Sequence, residues 1–313
     1  MELPDDFPET ELDFEHAFAD EDACRRYFMR LRWPGGFVCP HCATSRGWPV
    51  AGRDLVQCSS CDKQTSLTAG TVLHGTRKPL KLWFRAMFLM VSQKVGVSAK
   101  NFQRLMGLRS YGTAWTWLHK LRRAMVRRDR PKLRGLVEVD EAFVGGAQKR
   151  FARGSLNPIV VAAVEREEHG LGRVRMKVVD DQSQATLVEF VEDNVEPGST
   201  ARTDAWAGYS PLKTRGYKHQ SKVRHHPKNA SKNLPAVHRV FSLVKRWLLG
   251  VHQGAVRPHH LQAYLDEYSF RFNRRRSSHP IKLFHRLAQQ LIATAPTTYG
   301  QLARRVLQPA VRT

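Results

Sequence analysis

The spacing of apolar residues changes character along the chain. Between residues 78 and 130 apolar positions recur three and four apart, as on a helix face. The stretch PLKLWFRAMFLMVSQKVG predicts one helix, with Leu82, Met87, Phe88 and Val91 available for packing. GVSAKNFQRLMGL predicts a shorter second helix capped by Ser98, and SYGTAWTWLHKLRRAMVRR a third that ends in basic residues. Three helices with short connections make a helix-turn-helix-like module. From 135 to 210 the pattern becomes strand-like. Strands are predicted at 136–144, 158–164 and 172–179, followed by a helix at 184–194 and a short strand leading to ARTDAWAGY. Strands followed by helices indicate a mixed α/β domain. A basic polar stretch, 213–233, separates it from helices at 235–249, 258–273 and 280–293. Upstream, DEDACRRYFMRLRWPGG predicts a short helix capped by Asp20, its acids first and Arg30 and Arg32 last, stopped by Pro34-Gly35-Gly36. The pattern contains no internal repeat.

Charge adds a partner. The 313 residues hold 51 Lys plus Arg against 28 Asp plus Glu, a formal net charge of +23. Ten of those acids fall in the first 22 residues, which contain no Lys or Arg, so the remainder carries 51 basic against 18 acidic residues, a net +33. Such a surplus repels itself in a compact chain and calls for a polyanion, with nucleic acid the natural one. The acidic leader is then a candidate shield that mimics DNA. The N-terminus lacks the basic-then-apolar order of a secretory signal. The longest apolar run, LWFRAMFLMV, is too short for a membrane span and contains Arg85. These features predict a cytoplasmic, nucleoid-associated protein.

In that compartment five cysteines favour metal over disulfides. Cys39-Pro40-His41-Cys42 and Cys58-Ser59-Ser60-Cys61 are two Cys-x-x-Cys pairs with 15 residues between them. Each pair presents two thiolates to one tetrahedral ion, and four thiolates leave no open position, so a structural zinc ribbon is expected over 37–70. Cys24 falls outside the spacing and reads as an ordinary helix residue. His41 is a weaker alternative ligand.

GLVEVDEAFVGG, residues 135–146, places Asp140 and Glu141 where an apolar strand ends. Asp204, in RTDAWAGY, ends a later strand. Either aspartate alone reads as a turn or helix cap. Together, at neighbouring strand ends of a basic protein, they make a site for hard divalent ions that act on phosphate. Glu141 points to the opposite strand face from Asp140.

Four motifs, FVCPHC…VQCSSC, VEVDEAFVGG, TDAWAGY and VHRVFSLVKRWLLGVHQGAVRPHHLQAYLDEYSFRFNRR, resemble bacterial insertion-sequence transposases of the zinc-ribbon plus RNase-H-like DDE type, the ISXO2-like family. The resemblance runs from about Leu31 to His279. It implies a third catalytic position seven residues before a lysine, then a glutamate with arginines at +4 and +7. Lys245 fits the lysine, and Glu267, Arg271 and Arg274, spaced along one helix face, fit the Glu-Arg-Arg set, which reads either as a DNA-binding or supporting face or as an internal salt-bridge ladder. Counting back from Lys245 gives His238, where many members carry Glu or Asn. Histidine ligates metal through a neutral nitrogen and leaves the site less negative by one charge. Glu267 is the runner-up for that position.

The resemblance implies a multidomain chain: an acidic leader and short helix (1–36), the ribbon (37–70), the helical module (78–130), an RNase-H-like catalytic domain (134–293) and a basic tail (294–313). It also implies catalytic Asp140, Asp204, His238 and Lys245, with Mg²⁺ or Mn²⁺ held by Asp140, Asp204 and His238 and structural zinc held by Cys39, Cys42, Cys58 and Cys61. DNA, both element ends and target, is the expected partner of a homodimer or higher assembly. The alternatives are a DNA-binding regulator without catalysis and an RNase-H-fold nuclease. A regulator needs no α/β domain with paired aspartates.

Overall fold

The structure is a computed structural model. It describes residue 8 and residues 10–303 apart from 51, 128, 145–157, 169, 223–232, 255 and 278. Gly145-Gly146, His225, His226, the second half of the basic stretch and most of the basic tail lie outside the described residues. The chain forms two compact bodies, Met1–Arg127 with Arg276–Thr313, and Arg128–Arg275.

The first body begins with a helix that the acidic composition hides, α1 (Glu11–Ala17). Thr10 and Asp13 close a capping box at its start, and Phe14 and Phe18 are buried. Helix α2 (Glu21–Arg32) is capped by Asp20, whose carboxylate accepts the Ala23 N–H at 2.7 Å. A three-stranded antiparallel meander follows: β1 (Gly47–Pro49), β2 (Leu55–Cys58) and β3 (Gln64–Ser66). Arg25 ties α2 to Asp54 beside the meander. Three further helices are α3 (Leu80–Ser92), α4 (Ala99–Leu105, capped by Ser98) and α5 (Tyr111–Ala124). Trp83 of α3 stacks on Trp117 of α5, ring centres 3.9 Å apart. Pro79 leaves the start of α3 without a side-chain cap, and Glu21 of α2 replaces it by accepting the Leu80 and Lys81 N–H groups at 2.6 and 2.9 Å.

The tail helix Pro280–Ala293 belongs to this body, packed on α2, α3 and α5, so the division differs from the expected catalytic span of 134–293. Its Phe284 joins Phe14, Phe18, Tyr27 and Phe84 in one aromatic cluster. Phe14 and Phe18 of the acidic leader are therefore part of the core, while Glu11 and Asp13 just before them and Glu15 between them are exposed.

Beside that cluster the Tyr27 hydroxyl meets His285 Nδ1 at 2.6 Å, and Gln289 Nε2 meets His285 Nε2 at 2.9 Å. Burial, then Arg286, lowers the His285 pKa from 6.5 to about 4. The unfolded chain therefore takes up this proton before the folded one does. His285 contributes stability that is full above pH 6.5 and is lost as pH falls toward about 4. We expect the first body's unfolding temperature to drop across that window, and His285→Gln to flatten the drop. An equal drop in the variant would remove His285 from the account.

The second body is a five-stranded mixed sheet. Its strands are β4 (Leu136–Phe143), β5 (Ile159–Glu167), β6 (Gly170–Val179), β7 (Thr200–Asp204) and β8 (Lys218–Lys222), in the order β6-β5-β4-β7-β8. The β6-β5-β4 pairs are antiparallel, and β7 and β8 continue parallel to β4. Strand β8, KHQSK, lies inside the basic polar stretch, 213–233, for which the sequence predicts no element. It has no apolar alternation because it is an edge strand, held to β7 through its backbone.

Helix α6 (Gln184–Asn194) covers one sheet face with Val137, Val139, Val161, Ala163, Ala201 and Tyr209. Helices α7 (Pro235–His252) and α8 (Leu261–Phe272) cover the other with Val160, Ala162, Val164, Val174 and Met176. Alternation along β4 thus sends Val137 and Val139 to α6, and Glu138 and Asp140 to the α7 side.

Candidate active site and metal centre

Both Cys-x-x-Cys turns of the first body have the same backbone form. The Cys39 N–H bonds the Thr44 carbonyl at 2.9 Å, and the Cys58 N–H bonds the Lys63 carbonyl at 3.1 Å. The residue after each second cysteine is left-handed, Ala43 at φ 59° and Asp62 at φ 55°. The turns face each other. Cys39 and Cys61 sulfurs lie 3.7 Å apart, Cys42 and Cys58 sulfurs 3.4 Å, and all four within 4.8 Å. A tetrahedral zinc with ~2.3 Å Zn–S bonds places its sulfurs about 3.8 Å apart, so the set fits zinc. Hydrogen bonds from Thr44, side chain first, then backbone, lower the Cys42 pKa to about 6 and favour its thiolate. Cys24 is buried in α2, with its thiol pushed up to about 12 by that burial, and lies outside the cluster. His41 is exposed.

In the second body Asp140 is buried at 2% exposure near the end of β4. The parallel ladder between β4 and β7 ends at the pair Glu138 and Arg202, and Asp140 and Asp204 each lie two residues beyond it, on the strand parity of that pair. Asp204 is partly exposed and its Oδ1 accepts the Trp206 N–H at 3.0 Å. Helix α7 crosses the Asp140 face of the sheet, and His238 in its first turns brings Nε2 to 3.5 Å from Asp140 Oδ2. Lys245, two turns along α7 and roughly 10 Å away, is exposed.

Adjacent ligand atoms on one Mg²⁺ or Mn²⁺ at ~2.1 Å sit about 3 Å apart, and the Asp140–His238 separation is 3.5 Å, wider than that and compatible with a plain Asp–His contact. Among the described residues, the four cysteines are the one group of three or more whose ligating atoms meet closely. Asp140, Asp204 and His238 do not form such a group.

Glu141 faces the α6 side and accepts the Tyr209 hydroxyl at 2.7 Å. Burial first, and Glu141 next, raise the Tyr209 pKa well above its usual value, so the phenol remains a donor. Trp206 is half exposed beside Asp204, with its indole against Gly208, where a Cβ would come within 2.8 Å of Nε1. The exposure of Trp206 was not legible from its motif.

The Glu-Arg-Arg residues make contacts within their own segment. Glu267, fully buried, accepts from Arg271 at 2.9 Å. Arg274 bonds the Phe270 carbonyl at 3.1 Å and lies over its ring. Their helix α8 packs against β6, two strands from β4. Gln262 and Asn273 on it bond the Val178 and Val174 backbone N–H groups, at 2.8 and 2.7 Å, and so cover the outer edge of β6.

Residues 132–273 match the family model of the ISXO2-like transposase domain, and residues 19–64 that of the transposase zinc-ribbon domain. The first covers 142 of the 313 residues and the second 46. No curated protein matches the chain. The two matches, with the four-cysteine cluster and the mixed α/β domain, support a DNA transposase. The chain thus carries an ISXO2-like transposase domain together with a transposase zinc ribbon. Among the described residues no helix is long and apolar enough to cross a membrane.

Proposed function

We propose that this chain cuts the ends of its own mobile element and joins each 3′-OH to target DNA, with Asp140, Asp204 and His238 as the catalytic set. The observation that carries this is the 3.5 Å approach of His238 Nε2 to Asp140 Oδ2 within the span of the transposase domain match, and the β4–β7 register, extended past its last pair, supports Asp204 on the same face. The strand order, three antiparallel strands followed by two parallel ones, supports an RNase-H-like fold for this body. The α3–α5 helices, with α4 capped and set against α5, support a helix-turn-helix-like role in binding element ends.

Asp140, Asp204 and His238 would hold Mg²⁺ or Mn²⁺, which when bound neutralises phosphate charge and lowers the pKa of the attacking water. The residues themselves orient the site. Buried Asp140 fixes the position of one ligand atom. The Trp206 N–H constrains the Asp204 carboxylate. Exposed Lys245 extends from the same helix as His238 toward a DNA phosphate. Zinc in the four-cysteine site would shape the ribbon as a DNA contact. Joining two element ends favours a dimer or larger assembly on DNA, acting in the cytoplasm where chromosomal DNA lies.

Labelled oligonucleotides carrying the terminal repeats that flank the gene test this reading. Nicked substrate plus a longer, joined product is expected. Cleavage without joining would point to a nuclease, and binding without cleavage to a regulator. Binding to random duplex should weaken at least tenfold (order of magnitude) between roughly 50 and 200 mM salt, because Lys and Arg displace condensed counterions. A flat salt response would contradict a phosphate-dominated contact.

A further inference from the structure

Glu138, fully buried on β4, takes no part in the chemistry above. It lies on the same face as Asp140, two residues upstream. Its Oε2 accepts the N–H groups of Ala236 at 2.7 Å and Val237 at 3.2 Å, in the first turn of α7. That turn has no cap of its own. Leu234, at the cap position, offers no acceptor, and Pro235 follows at the first helical position. The other carboxylate oxygen lies 3.7 Å from Arg166 Nη1.

Two pairings therefore run in step between β4 and α7. Glu138 meets Ala236 and Val237, and the next residue on the same strand face, Asp140, meets the next residue of the helix, His238. We propose that Glu138 is a positioning residue of the active site: it fixes the height and rotation of α7 on β4 so that His238 meets Asp140. The proposal rests on the reading that Asp140 and His238 belong to the catalytic set.

Rotation is the sensitive coordinate. A slip of one residue turns a helix by about 100° and would carry His238 off the site. Displacements near 1 Å at a reacting centre cost about 10²-fold in rate. A serine or aspartate at position 234 could have capped the helix from within. A buried carboxylate is costlier to desolvate, but it ties the helix to one strand position. Glu21 caps α3 from a distance in the same manner, yet it is only partly buried, and α3 holds no member of the catalytic set. The competing account is thus a helix cap and nothing more.

The test compares Glu138→Gln, Glu138→Asp and Glu138→Ala in the full chain, by Mn²⁺-dependent nicking, DNA binding, unfolding temperature and amide exchange of the metal-free protein. Glu138→Gln keeps an acceptor at the same reach without the charge. Glu138→Asp keeps the charge with one methylene less reach. With DNA binding unchanged, Glu138→Ala and Glu138→Asp should nick about 10²-fold more slowly and need more Mn²⁺ for half-saturation. Glu138→Gln should show a smaller, few-fold rise. In metal-free protein the Ala236 and Val237 amides should exchange faster in the Ala and Asp variants. Lower unfolding temperatures with a wild-type Mn²⁺ dependence would overturn the proposal, and so would Glu138→Asp outperforming Glu138→Gln. If the Ala and Asp variants do not fold, an unchanged Mn²⁺ requirement in Glu138→Gln overturns it. Asp140→Asn, run alongside, separates the two layers: normal nicking there removes the catalytic assignment itself, whatever the Glu138 variants do.

Discussion

Asp140→Asn and Asp204→Asn are each expected to abolish strand cleavage while leaving binding to element ends nearly intact. Each change keeps the side-chain volume and removes one negative charge from the end of the sheet. Asp140 is buried against α7, so the loss falls where little water can compensate. Loss of an aligned, preorganised charge at a reacting centre costs about 10²–10³-fold. The ribbon and the α3–α5 helices, the modules proposed to read DNA, lie in the other body and keep their own core. His238→Ala should behave like the aspartate variants. Glu267→Gln should not. Glu267 already accepts from Arg271 inside α8, which packs on β6, so its loss should lower stability rather than stop cleavage. Breaking a buried pair of this kind costs about 3–5 kcal/mol. The four variants, run in one Mg²⁺-dependent nicking assay with binding measured in parallel, decide the third position. A dead Glu267→Gln beside an active His238→Ala would transfer the role to Glu267.

The legible parts of this molecule are those where local pattern and tertiary task agree. Strand β4 announces itself because Val137 and Val139 must face α6, and acids at its end stand out against that alternation. The four cysteines announce themselves because the knuckle turn is a local structure, repeated at Cys39–Cys42 and Cys58–Cys61. Two elements were hidden by their composition. Helix α1 is written in acids, and only Phe14 and Phe18 carry its burial. Strand β8 is written in polar residues because it is an edge strand, held to β7 by its backbone ladder and by polar contacts of Gln220 with Arg202 and His219 with Thr203.

The task of Glu138 is hidden for another reason. Its partners lie about a hundred residues away, and VEVDE reads as a strand in which any polar residue could occupy that parity. One signal was present: a helix opening on Leu234-Pro235 offers no acceptor for its own first N–H groups, so something outside the helix must supply one. The Glu-Arg-Arg signature shows the converse. Its spacing is plain in the sequence, but the structure uses Glu267 and Arg271 on each other, and Asn273 on the β6 edge.

Cys58→Ser combined with Cys61→Ser is expected to empty the ribbon of zinc and to unfold it. Metal analysis of purified wild-type protein should find one zinc per chain, and the double variant none. The strands of the ribbon are three, four and three residues long, too short to hold a meander by their ladders alone. Zinc in small sites of this type contributes an apparent ~10–16 kcal/mol, which becomes folding free energy when no site exists in the unfolded chain. The metal also settles a conflict among the sulfurs. Hydrogen bonds from Thr44 draw Cys42 down to about 6. Although the Lys63 backbone N–H favours the Cys61 thiolate, burial and the neighbouring sulfurs of Cys42, Cys58 and Cys39 hold that thiol up at about 12. Four thiolates so close together need a dication between them, and protons compete with it, so acidification should release zinc. The rest of the first body, built on α1–α3, α5 and the tail helix, has its own aromatic core and should survive the loss. The double variant should therefore keep most of its helical signal while binding DNA more weakly. Purified wild-type protein without zinc, or an unchanged zinc content after both substitutions, would overturn the assignment of these cysteines.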